Sequence, residues 1–184
     1  INEWKYFASS DGSYITQDLY RIWAQTNSTL VDKSEGKYES RSTDIAPLSI
    51  GYEYFNEFPF EKEIEVAVET AKMKLKAPTV TPGKKDVIIH ANNLYLTIHE
   101  SCGHPTELDR ALGYEANYAG TSFMTPDKLG KLKYGSDLIN LIADRTQKFG
   151  LATRGYDDDG VKTVEFPIID KGLFVNYQTT REQA

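Results

Sequence analysis

The sequence predicts an α+β fold: mixed or antiparallel sheets with a few helices. Three observations carry this expectation. Tyr-, Ile-, Trp- and Thr-rich stretches fill the start of the chain, the segment from Phe60 to Leu75 repeats apolar residues at helical spacing, and a hairpin pattern occupies Val164 to Thr180. In chain order, Glu3 to Phe7 and Ser13 to Leu30 read as strands around a turn at Ser9-Ser10-Asp11-Gly12, and residues 36–54 read as more polar strand. Phe60, Ile64, Val68, Ala71 and Leu75 make one apolar helical stripe. Glu61, Glu63 and Glu65 near its start and Lys72, Lys74 and Lys76 near its end complement the helix dipole. Pro78 and Pro82-Gly83 then mark a boundary.

Beyond that boundary, Asp86 to His90, with Val87, Ile88 and Ile89, reads as a short buried strand. Asn92 or Asn93 is placed as the cap of a second helix from about Leu94 to Gly103, with Leu94 and Ile98 facing the core. Residues 105–135 read as loop, and Asp137 to Thr146 as strand in preference to helix, which the sequence also allows. The closing hairpin turns at Asp170-Lys171-Gly172.

Composition narrows the function classes. A chain of 184 residues, 40% hydrophobic, has room for one domain or parts of two. No apolar run reaches the length of a membrane span. A net charge of −6 without any Lys/Arg cluster argues against nucleic acid or a membrane surface as partner. The single cysteine, Cys102, excludes an internal disulfide and fits a reducing, cytoplasmic setting. Ile1 is not a start methionine and nothing near it resembles a signal peptide, so the chain is read as beginning mid-protein.

The chemistry concentrates in His99-Glu100-Ser101-Cys102-Gly103-His104, an HExxxH motif; all three histidines of the chain lie between positions 90 and 104. Neutral imidazole is a favoured zinc ligand, and an adjacent carboxylate can take a proton from zinc-bound water. His99 and His104 are the candidate metal ligands and Glu100 the candidate general base. Histidines five apart sit about 140° apart around a regular α-helix, so they cannot share an ion there. Gly103, Pro105 and the option of a π-like turn supply the required distortion, which places His99 on the helix and His104 at its distorted end. A catalytic zinc needs three protein ligands and an open position. Cys102 is a poor third, and among Glu107, Asp109 and Glu115 no spacing singles one out. His90 reads as a structural strand residue, Cys102 as a small buried hydrophobe, and Asp157-Asp158-Asp159-Gly160 as a solvated turn lacking the pattern of a calcium loop.

Several separated segments, in order, resemble the TldD/PmbA metallopeptidases, also labelled modulators of DNA gyrase. They are Ile98 to His104 with Pro105-Thr106-Glu107-Leu108-Asp109, Ala119-Gly120-Thr121-Ser122-Phe123, Asp157 to Gly160, and Ile168 to Leu173. The resemblance implies a zinc-dependent metallopeptidase that hydrolyses unstructured peptides, with His99 and His104 binding Zn and Glu100 as the base on zinc-bound water. It implies a third ligand, a cysteine, downstream of Ala184, and a homo- or hetero-dimer with a related subunit. It also divides the chain into residues 1–82, the end of an N-terminal α/β domain made of strands plus one amphipathic helix, and residues 83–184, the start of a C-terminal metallopeptidase domain carrying HExxxH. On this reading the chain is a fragment of the active-type subunit. Gly120 to Phe123 is a candidate edge against which a peptide substrate could lie as an added strand. Two other readings compete: a non-catalytic peptide- or protein-interaction module of the same fold, and a gyrase-regulating DNA binder. The first does not need the His–Glu–His set, and the second is disfavoured by the acidic balance.

Overall fold

The computed structural model describes residues 1–184, which divide into two compact units: residues 1–3 with 19–92, and residues 4–18 with 93–184. The fold is small α+β. Strands β1 (Asn2–Ala8) and β2 (Tyr14–Tyr20) form a two-stranded sheet. Both alternate exposed and half-buried residues, the period-two pattern of a strand with one covered face. The turn between them falls at Ser9 to Gly12 as the sequence predicts, with the Gly12 amide donating to the Ser9 carbonyl at 3.1 Å.

The first unit is built on the antiparallel pair β3 (Asn27–Asp32) and β4 (Lys37–Ser42), in register from Asn27 opposite Ser42 to Asp32 opposite Lys37. The strand-like run from Ser13 to Leu30 is therefore broken between Tyr20 and Asn27, and residues 36–54 are strand only as far as Ser42. Further along lies a single helical turn, α1 (Tyr54–Glu57), whose Tyr54 is fully buried and donates its hydroxyl to the Ala46 carbonyl at 2.9 Å. Helix α2 (Phe60–Lys76) packs on β3 and β4. The apolar stripe lies where its periodicity puts it: Ala67 and Ala71 are buried, and Phe60, Ile64, Val68 and Leu75 are half-buried beside them. Small alanines at the centre of the stripe allow close approach of helix to sheet. Lys74 joins this packing by an ion pair to Glu39 at 2.8 Å.

Asp86 to His90 corrects the sequence reading. No strand pairs with it, every residue is exposed, and Ile88 is 100% exposed. An apolar run becomes a buried strand only if a neighbouring strand takes up its amides and carbonyls, and no segment of this chain does so. His90 accordingly is no strand residue; it is exposed and lies 3.9 Å from Asp44. Nor do Asn92 and Asn93 cap the next helix, α3 (Ala91–Ile98): they lie inside its first turn. Of the expected core-facing pair, Leu94 is half-buried and Ile98 is 40% exposed.

The second unit is organised by the antiparallel sheet β5 (Leu141–Asp144), β6 (Glu165–Asp170) and β7 (Leu173–Phe174), in that spatial order. The strand expected within Asp137 to Thr146 and the hairpin turn at Asp170 to Gly172 are both present. Pro167 sits in the central strand opposite Ile142, and the register shifts between Leu141 and Ile142, a bulge that accommodates the missing proline N–H. The core is Met124, Ile168, Ile169, Phe174 and Tyr177, with Leu108, Tyr134 and Phe166 packed against it. Residues 105–135, expected as loop, contain one short helix, α4 (Leu108–Ala111), and otherwise mostly turns. No helix of the chain is long and apolar enough to cross a membrane.

Candidate metal centre

Helix α3 does not continue as an α-helix into the motif. It widens into a π turn over His99–Gly103, closed by the His104 amide donating to the His99 carbonyl, and then tightens into a 3₁₀ turn over His104–Thr106. Proline at position 105 lacks an N–H and fits the opening of a tight turn. Glu107 then leaves the helical region with φ −74° and ψ 119°. The extra residue in the π turn rotates position i+5 back over position i. As a result the His99 and His104 rings come to 4.2 Å between centroids. The distortion deduced from Gly103 and Pro105 is present, and it is π-helical.

A π turn leaves carbonyls poorly satisfied, and three side chains of the second unit supply the missing donors. The Thr106 hydroxyl, fully buried, is shared between the carbonyls of Cys102 at 2.7 Å and Gly103 at 3.0 Å. Gln178 Nε2 donates to the Gly103 carbonyl at 2.9 Å and to Thr106 Oγ1 at 3.1 Å. Tyr134 donates its hydroxyl to the Ser101 carbonyl at 2.9 Å. The same hydroxyl also lies 3.0 Å from Cys102 Sγ. Burial, and then the Cys102 thiol beside it, push the Tyr134 hydroxyl up to about 12, so it remains a donor across the neutral range. Main-chain bonds complete the clamp: Gln178 donates its amide to the Thr106 carbonyl at 2.8 Å, and Leu108 donates to the Gln178 carbonyl at 2.9 Å. Thr106→Val keeps the shape and removes the hydroxyl. It is expected to destabilise the protein by about 1–3 kcal/mol through the stranded carbonyls. Urea unfolding checks this; an unchanged midpoint would mean that the hydroxyl is not what holds the turn.

The clamped turn presents His99, Glu100 and His104 together, with one potential ligand atom from each lying within 4.8 Å of the others. A tetrahedral zinc with bonds of about 2.0–2.1 Å places neighbouring ligand atoms about 3.4 Å apart. The side chains would have to rotate to close that gap; two imidazoles beside a carboxylate are a donor set zinc accepts, so the residue types fit that ion. The Glu100 carboxylate lies 3.0 Å from His99 Nδ1, and the side chains of His99 and Glu100 are more than half exposed, leaving this face open to a ligand.

None of the other residues weighed as a third ligand joins the group. Cys102 is turned to Tyr134, Asp109 Oδ1 accepts from the Arg110 amide at 2.8 Å, and Glu115 is held by Arg110 Nε at 2.9 Å. Glu107 lies instead against the ring of His104. The Asp157 to Gly160 segment is a turn, as expected: Asp157 Oδ1 accepts from the amides of Asp159 at 3.0 Å and Val161 at 2.8 Å, and Asp158 pairs with Lys5 at 2.6 Å. Thr106, Tyr134 and Gln178 are the residues that sequence reasoning missed. The last two act across 33 to 75 residues of chain and have no local signal. Gly120 to Phe123 takes part in no strand pairing, but Ser122 donates its hydroxyl to the Pro105 carbonyl at 2.6 Å, which ties the segment to the end of the motif.

The chain is similar in sequence and in fold to known proteins over most of its length. Residues 82–184 match the model of the PmbA/TldA metallopeptidase C-terminal domain. A metalloprotease of Methanocaldococcus jannaschii is 28% identical over 178 residues, covering 97% of this chain and 37% of that protein. A zinc metalloprotease TldD homolog of Saccharolobus solfataricus is 25% identical over 181 residues, covering 96% of this chain and 37% of that protein. Among solved structures, a protein described as a modulator of DNA gyrase from Bacteroides thetaiotaomicron superposes with a TM-score of 0.70 at 20% identity, covering 94% of this chain and 36% of that one. One of the same description from Thermotoga maritima gives 0.65 at 15%, covering 95% and 37%. These likenesses show a shared fold, and the chain spans about 37% of the length of the curated relatives it matches. Because the family model covers more than half of the sequence, the chain belongs to the PmbA/TldD metallopeptidase family.

Proposed function

We propose that this chain carries the zinc-binding half of a peptidase site acting on unstructured peptides, with His99 and His104 as metal ligands and Glu100 as general base. The observation that supports it most is the π turn, which brings the two histidines and the carboxylate within 4.8 Å of one another. One relative is itself named a zinc metalloprotease. Bound zinc supplies Lewis-acid polarisation of a carbonyl and a lowered pKa for water at the site. The chain's own residues do the rest. The two imidazoles would hold the ion, and Glu100 would accept the proton of the attacking water and pass it to the leaving amine. Gly120 to Phe123, tied to the motif through Ser122, offers a place for an extended peptide beside the site. The remaining ligand, a homo- or hetero-dimeric assembly with a related subunit, and a cytoplasmic location belong to the same proposal.

Metal content tests it. Mass spectrometry of the full-length protein is expected to give close to one zinc per chain, and a chain ending at Ala184 much less, since two imidazoles alone are an incomplete site. Zinc in neither would overturn the peptidase reading.

A further inference from the structure

We infer that Glu107 is a positioning residue for the metal: it accepts a hydrogen bond from His104 Nδ1–H and so presents Nε2 as the ligand atom. The inference rests on the zinc reading of the site. Both Glu107 carboxylate oxygens lie against His104 Nδ1, at 3.1 and 3.2 Å. A neutral imidazole has one protonated and one lone-pair nitrogen, and a carboxylate beside one nitrogen draws the proton there. With Nδ1–H committed to Glu107, the lone pair is on Nε2. The same contact makes the ring a stronger donor and fixes its rotation.

Glu107 is itself held in place. Arg110 Nε lies 3.3 Å from Glu107 Oε2 and 2.9 Å from Glu115 Oε2, and the arginine side chain is only 14% exposed. Two carboxylates and one guanidinium leave a net negative charge behind His104, which favours a cation in front of it. Local backbone geometry sets the reach. The 3₁₀ turn at His104–Thr106 ends with the Glu107 amide donating to the His104 carbonyl at 3.2 Å, so the side chain of residue i+3 folds back over the ring of residue i. Because both oxygens face the imidazole, Glu107 is not the missing third ligand, although its residue type alone would allow that.

The test uses the full-length protein and zinc alone, with affinity read by competition against a chromophoric chelator and the inner coordination shell read by X-ray absorption at the zinc edge. Glu107→Ala is expected to weaken zinc by about 10- to 100-fold, the usual effect of losing such a partner. Glu107→Gln, which keeps a neutral acceptor, should recover part of that loss. In both variants the zinc shell should be unchanged in ligand number and type, and the metal-free unfolding midpoint close to wild type. Glu107→Ala affinity within about twofold of a zinc-binding wild type would overturn this inference and leave the zinc reading standing. Loss of an oxygen scatterer in Glu107→Gln would overturn it too, by making the residue a ligand. A wild-type protein that takes up no zinc would remove both.

Discussion

Glu100→Gln is expected to leave zinc content close to wild type and to lower kcat for peptide cleavage by about a hundred- to ten-thousand-fold, the range that a positioned general base contributes. The substitution keeps the size of the side chain and an acceptor oxygen but removes the ability to take a proton. It also separates two roles that the geometry leaves adjacent. Glu100 belongs to the same three-residue cluster as His99 and His104, and its carboxylate is 3.0 Å from His99 Nδ1. As a base it acts on water and is not needed to hold the ion; as a ligand it would be. Zinc titration of the variant decides. Retained zinc with lost turnover supports the base, zinc lost along with turnover moves Glu100 into the ligand set, and wild-type turnover excludes the base role. KM should change little, because a group that acts mainly on the transition state affects kcat.

The features legible in the sequence are those whose cause is local. The helix from Phe60 arises from a repeat that fits a helical wheel, and its bounds move by a single residue, to Lys76. The distortion of the HExxxH turn arises from the mismatch between a five-residue spacing and 3.6 residues per turn, together with Gly103 and Pro105. Asp86 to His90 failed for the complementary reason. Its apolar composition is that of a buried strand, but burial is a property of what lies alongside, and in this chain Ile88 is wholly exposed. The site divides along the same line. His99, Glu100 and His104 announce themselves by type and spacing. Glu107 could have been found from its position three residues after His104, where a tight turn brings a side chain back over the ring. Tyr134 and Gln178 could not, because the carbonyls they satisfy belong to Ser101 and Gly103, far back along the chain.

That dependence on distant residues makes Gly172 a position whose substitution should cost the fold heavily. Lys171 and Gly172 form the two-residue turn between β6 and β7, both at positive φ, 45° and 75°. Gly172 also anchors the segment carrying Tyr134: its carbonyl accepts from the Tyr134 amide at 2.7 Å, and its amide donates to the Ile139 carbonyl at 2.8 Å. A Cβ added there would collide with the carbonyl oxygens of Gly135 and Ser136, both main-chain atoms that cannot rotate aside. Gly12 is the natural control, with φ of 89° and nothing within 4 Å of an added Cβ. Gly12→Ala should cost only the backbone term, about 1–2 kcal/mol. Gly172→Ala adds overpacking against fixed backbone and should cost about 2–5 kcal/mol, a large part of the stability of an ordinary domain. Urea unfolding of the two variants measures the difference, and equal losses would mean that the Gly135–Ser136 segment yields without penalty. Where Gly172→Ala still folds, displaced main chain at residues 134–136 withdraws the Tyr134 hydroxyl from the Ser101 carbonyl. Zinc affinity should then fall as well, although Gly172 touches neither of the proposed ligands, while in Gly12→Ala it should not change.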